Sequence, residues 1–265
     1  MNLMAVKTYF KIWLLQVKNS LMQRMSYRFN FVVLCFSVLV QTSLILIFVK
    51  AIFSFIDNIS GWSYEHALLI AASFMIIEGL IWATSAYLSG VGDSIRRGAL
   101  DQLITKPVDT QFLVSIWRAD PEDWIRVVTG IIIISTVFDK INFSILNLLF
   151  YVLLLFNSYI IVYSFILFLK TFSFWIINNY SLNMLADHIL RLSQYPTDIF
   201  FHKIIRIFFS TVIPLAFIAT MPAKILIHGP KLDLIFYSCL LAFVFFVGSR
   251  KFFLYGLKHY SSASS

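Results

Sequence analysis

The sequence predicts an all-α polytopic membrane protein with six transmembrane helices, and three observations carry that prediction. Of 265 residues, 60% are hydrophobic and only 13% charged, with a mean hydropathy of +0.84. A soluble domain carries about 45–50% apolar and about 25% charged residues. The apolar residues are gathered into long runs, each near the roughly 20 residues a helical span needs. Length then sets the count, since the chain holds about six such crossings with their connections and leaves no room for a separate water-soluble domain. The same composition excludes disorder and argues against a soluble enzyme.

Residues 1–28 read as an N-terminal amphipathic interfacial helix. On a helical wheel Leu3, Val6, Phe10, Trp13, Val17 and Leu21 share one face. Lys7, Lys11 and Lys18 line a neighbouring edge, from which they can snorkel to headgroups. A single transmembrane domain then fills 29–265. Its first span, 29–49, contains no charged residue, and the loop that follows holds Gly61 and Trp62, the latter suited to a membrane boundary. The second span, 66–90, is interrupted near its middle by Glu78. Residues 91–123 change character: ten charged residues lie between Asp93 and Asp123, and Pro107 breaks the stretch. A short third span follows at 124–138, a long fourth at 145–169 and a last one at 232–249, which ends in Arg250 and Lys251.

Between 171 and 230 the pattern leaves two readings open. Residues 171–193 are apolar enough to cross but carry Asn178, Asn179, Asn183, Asp187 and His188. Residues 203–221 are more apolar, yet they are broken by Pro214 and hold Lys203 and Arg206 near one end. One of the two is the fifth crossing. With the N-terminus in the cytoplasm, fourteen of the 21 Lys and Arg residues fall inside, which places both termini there. The net charge of +8 is therefore read as topology-setting loop charge, with membrane lipids and not nucleic acid as its partner.

Catalytic chemistry finds no foothold. Cys35 and Cys239 both lie in apolar segments, supporting neither a disulfide nor a metal site, and the five histidines are scattered over loops and span ends. No zinc-protease, serine-hydrolase or paired-acid motif occurs, so we expect no catalytic residue and no metal. Glu78 must be neutral, paired or facing a cavity. It is read either as part of a translocation path, with Asn179, Asn183 and Asp187, or as one end of a buried hydrogen bond to another subunit. Asp187 and Arg191 have the spacing to pair along a helix. The first apolar run begins behind five basic residues, which does not read as a cleavable signal.

The polar stretch runs Asp93-Ser-Ile-Arg-Arg-Gly-Ala-Leu-Asp-Gln-Leu-Ile-Thr-Lys-Pro-Val-Asp109. It resembles the I-R-x-G-x-L-D-x-L-L-x-x-P-V stretch of type-2 ATP-binding-cassette (ABC) permeases, in the six-span branch usually encoded as paired permeases beside a separate ATPase. Tyr195-Pro-Thr-Asp-Ile-Phe200, Val212-Ile-Pro-Leu-Ala-Phe217 and the ending Gly256-Leu-Lys-His-Tyr-Ser-Ser-Ala-Ser resemble further stretches of that branch. The resemblance implies a non-catalytic permease subunit that exports a hydrophobic or amphipathic substrate across the bacterial cytoplasmic membrane. Its partners are ABC ATPase subunits and a second permease, identical or paralogous. ATP and Mg would sit on the ATPase, consistent with the lack of a G-x-x-x-x-G-K-[ST] cradle in this chain. The resemblance makes 91–123 the coupling segment, whose helix over 95–104 docks on the ATPase through Ile95, Leu100 and Leu103. Arg96, Arg97 and Asp101 are its rim charges, Gly98 a point of close approach and Pro107 its stop. It also implies a re-entrant helix pair at 199–226 broken at Pro214, which makes 171–193 the fifth crossing, although charge counting alone favours 203–221. The rival class is an ATP-independent channel or a structural membrane subunit of a larger complex.

Overall fold

A computed structural model describes residues 3–140, 144–176, 180–199, 207–209 and 213–260. Helix α1 (Leu3–Ser26) breaks at Tyr27, and α2 (Arg28–Phe53) follows. A tight turn reverses the chain, with Asn58 Oδ1 accepting from the Gly61 amide and Ser60 and Gly61 both at positive φ. Helix α3 (Tyr64–Ser85) is capped by Ser63, passes through a 3-10 turn at Ala86–Gly90 and continues as α4 (Val91–Arg96). Two short helices, α5 (Asp101–Ile104) and α6 (Thr110–Ile116), lead to α7 (Trp124–Thr136) and α8 (Ile145–Thr171). The chain ends with α9 (Tyr180–Arg191), α10 (Thr220–His228) and α11 (Leu232–Lys258).

Four helical runs among the described residues are long and apolar enough to cross a membrane: Arg28–Phe53, Tyr64–Arg96, Ile145–Phe174 and Leu232–Lys258. Within the expected spans at 124–138 and 171–193 the described α-helices are α7 and α9. Helix α7 has 13 residues and α9 has 12. At 1.5 Å per residue each covers only about 20 Å of a roughly 30 Å hydrocarbon layer. Turns of 3-10 helix lengthen both, at Pro121–Asp123 and Phe138–Lys140 around α7 and at Leu192–Gln194 after α9. The second span is longer than the sequence predicts, because its helical run of 33 residues carries on into the polar segment.

Helix α3 sits at the centre and packs on α2, α7, α8 and α10. Glycine sets its closest approach. A Cβ on Gly130 of α7 would lie 2.8 Å from the Ala72 carbonyl oxygen, and one on Gly79 would lie 2.9 Å from that of Asp123. Small residues that let backbones meet are what hold helices together where burial from water gives no drive. Polar pairs pin the remaining contacts. Ser73 meets the Tyr151 hydroxyl at 3.0 Å, Thr84 meets Tyr159 at 2.8 Å, and Asn157 of α8 donates to Ser238 of α11 at 3.0 Å.

The bundle has two distinct ends. At one, Asp198 accepts from the Trp62 indole and lies 2.7 Å from Lys224, while Tyr195 contacts the ring of Phe48. At the other lie α4–α6, Trp117 under Lys106, and the aromatic group of Phe174, Trp175 and Phe252. Pro214 precedes a buried 3-10 turn, Leu215–Phe217, whose Phe217 carbonyl accepts from Ser158 at 2.6 Å. Of the expected re-entrant segment 199–226, residues 200–206 and 210–212 lie outside the described residues.

Candidate functional site

Two features carry chemistry: a charged cavity inside the bundle and the polar segment at its Trp117 end. The cavity begins with Glu78. Its helix is otherwise apolar at this level, so an ionised carboxylate needs a partner. Arg126 supplies one from α7, with its Nη1 3.1 Å from Glu78 Oε2. The same guanidinium donates to Asp123 at 2.7 Å and to Gln41 of α2 at 2.7 Å. One cation thus ties three helical segments together. Arg191 lies 4.0 Å from the other Glu78 oxygen, within ion-pair range but beyond a hydrogen bond. The partner of Glu78 is therefore within this chain. Sequence reading missed Arg126 because nothing local links it to a residue 48 positions earlier, although its spacing to Asp123 was visible.

The space between these groups is a cavity of about 240 Å3 bounded by α3, α7, α8 and α9. Lys170 and Asp187 complete its charged lining, and Ile77, Ile81, Val162 and Ile166 are among its apolar walls. Of the expected path residues, Glu78 and Asp187 come together here. Asn183 lies on α9, and Asn179 lies outside the described residues. Arg191, expected beside Asp187, instead points its charge toward Glu78.

The polar segment departs from the expected single helix over 95–104. Gly98 takes a φ of +69°, which ends α4 and turns the chain into the one-turn α5. Within the chain a Cβ there would meet only Asp101 Oδ2, at 3.9 Å, so what this position needs from glycine here is backbone conformation. Ile95, Leu100 and Leu103 are buried in the chain's own core. The apolar face expected to meet a partner is thus already used. What remains outward is Arg96, paired with Asp93, then Arg97, Gln102, Ile104, Lys106 and Pro107, with Asp101 half-buried. The helix stops at Ile104, ahead of the residue before Pro107, as proline sterics require.

This segment is tied down on both sides. Arg250 of α11 pairs with Asp109 at 2.8 Å, and Asp109 caps α6 by accepting from the Phe112 amide. Burial pushes the Asp109 carboxyl up, but Arg250 and the amide bonds outweigh it and hold the group below the usual carboxylate range. From α1, Arg24 pairs with Glu122 at 2.9 Å and also with Asp120, and Ser20 accepts from the Ala119 amide. Glu122 is buried, which raises it above the usual range despite Arg24. The Asp120 amide reaches back to the Trp82 carbonyl at 3.1 Å, near the point where α3 gives way to its 3-10 turn.

Residues 39–264 match the family model described as ABC-2 family transporter protein. No curated protein and no solved structure matches the chain.

Proposed function

The chain belongs to the ABC-2 family of transporter proteins, and on that premise we propose that it exports a hydrophobic or amphipathic substrate as one of two permeases above a pair of ATPases. Membership itself makes it a membrane permease subunit of an ABC transporter, a component that is typically non-catalytic and associates with an ABC ATPase. The observation that carries the finer reading is the continuity of the central helix with the polar segment. The 33-residue run Tyr64–Arg96 lines the cavity with Glu78 and leads directly into the 96–107 stretch, whose Arg96, Arg97, Gln102 and Lys106 are exposed. A push that reaches Arg96 is carried to the cavity wall along that run.

In this reading the Trp117 end is cytoplasmic. It gathers Arg24, Arg96, Arg97, Lys106, Arg118 and Arg250, the residues that positive-inside bias keeps within a cell. Trp62, Asp198 and Lys224 then face outward across the bacterial cytoplasmic membrane. The contacts of Arg191 with Glu78 and of Tyr195 with Phe48 support a chain rising outward over 171–199 as the fifth crossing. The buried turn after Pro214 and α10 then support a re-entrant unit, and α7 with its flanking turns serves as the third crossing. ATP and Mg are bound by the ATPase. Its closure pushes Arg96, Arg97, Gln102 and Lys106, and the permease shifts between inward- and outward-facing states. The hydrophobic contact expected of Leu100 and Leu103 passes to Ile104 alone, so docking is mainly polar.

Co-purification tests this. Tagged chain extracted in mild detergent should bring down a protein with a Walker A sequence, and Arg97→Glu with Lys106→Glu should weaken that capture. Recovery of no ATPase, under conditions that preserve other ABC complexes, contradicts the reading in favour of a channel or structural subunit.

A further inference from the structure

The charged cavity has a property that the family does not dictate. Its lining carries three cations, Arg126, Lys170 and Arg191, and three carboxylates, Glu78, Asp123 and Asp187, so its formal charge is zero while both signs are present. Arg126, Lys170 and Asp123 are all buried, and Arg191 sits at the rim with half its side chain exposed. The two arginines are not equally engaged. On the α3–α7 side Arg126 is held by Glu78, Asp123 and Gln41 at 2.7–3.1 Å. On the α9 side the Arg191 guanidinium stands 4.0 Å from Glu78 Oε1, beyond hydrogen-bond distance, so a polar group placed beside the pair can bond to both.

We infer that this cavity receives the headgroup of a zwitterionic amphiphile, one bearing an ammonium and a phosphate-type oxyanion. A ligand with a single charge would give the neutral site a net charge in low dielectric, which is unfavourable. A zwitterion offers a partner to each sign. Its oxyanion meets Arg191 and its ammonium meets Asp187 and Glu78. The volume of about 240 Å3 fits a headgroup and not a whole lipid. The tail therefore runs along Ile77, Ile81, Val162 and Ile166 toward the hydrocarbon. This specification rests on the exporter reading for its claim that the amphiphile is cargo, while binding itself stands apart from it.

Trp82 lines the cavity and provides the readout. The full chain in a nonionic maltoside is titrated with three single-chain amphiphiles, all brominated near the headgroup, so that contact quenches tryptophan. They carry phosphocholine, sulfate or trimethylammonium heads. The part of the quenching lost in Trp82→Phe should saturate with phosphocholine at a concentration at least ~10-fold below either singly charged analogue. Arg191→Gln and Asp187→Asn, both on α9 and exposed, should each weaken phosphocholine by about 10-fold. Equal response to the three heads, no Trp82-dependent quenching, or indifference to both substitutions overturns the assignment. Adding the captured ATPase with a trapped nucleotide should release the Trp82-dependent signal. Its persistence overturns the cargo claim and makes the ligand a resident lipid. Failure to capture any ATPase breaks the exporter reading and leaves the binding result standing.

Discussion

Helices α2 and α3 are both strongly apolar, yet they occupy opposite places. Of the most apolar window of Arg28–Phe53, 17% is buried within the chain, against 72% for Tyr64–Arg96. On α2 only Val38, Thr42 and Val49 are buried, while Phe29, Phe36 and Ile47 stand free of the bundle. The difference lies in the minor residues. Helix α3 carries Ser73, Glu78, Gly79, Thr84 and Ser85, and each finds a specific partner or a close backbone. In a bilayer, apolar surface marks what crosses, and small and polar residues mark what packs. Helix α2 is thus free to face lipid or a second permease, whereas α3 is committed to its own chain.

Four single substitutions and one double variant sharpen that contrast, and thermal unfolding in detergent measures each. Arg126→Met leaves Glu78 and Asp123 without their shared cation and should destabilise by about 3–5 kcal/mol, as breaking buried pairs does. Adding Glu78→Gln to it should recover part of that loss, and no recovery would show that Arg126 acts through packing alone. Gly130→Val places atoms against the Ala72 carbonyl and should cost about 1–3 kcal/mol. A neutral result there would remove the tight α3–α7 contact from the account. Asp109→Asn should cost about 1 kcal/mol or less, because its pair with Arg250 is partly exposed. The folded carboxyl lies below its ordinary value, so its contribution is present above the usual aspartate range and fades as pH falls through the folded value. The gap between wild type and Asp109→Asn should therefore close below about pH 4. Phe36→Ala on α2 should change stability by less than about 0.5 kcal/mol in the isolated chain. A larger loss that depends on protein concentration would reveal a second copy on that face.

How much of this was legible in the sequence follows the same division. The apolar runs located α2, α3, α8 and α11, since span length is a property of local composition. The resemblance at 93–109 is what singles out the polar segment for the coupling role given to it in the proposed function. The burial of Leu100 and Leu103 was not readable, because an amphipathic turn shows an apolar face without showing what covers it. Gly98 was singled out from the motif, but the positive φ it supplies to the turn shows only in the backbone. Glu78 was found as an anomaly in an apolar run. Its partners Arg126 and Arg191 come from helices distant in sequence, and composition holds no record of such pairing. The shortness of α7 was likewise hidden, since the hydropathy of 124–138 does not register that the α-helix ends at Thr136.

The central claim is that the exposed face of the polar segment meets an ATPase. A photo-crosslinking amino acid placed at Gln102, which is exposed and outside the core, tests it in intact cells. The account predicts a crosslinked product containing a Walker A protein, with none from the same probe at Phe36. Crosslinking to that protein from Phe36 but not from Gln102 would contradict it.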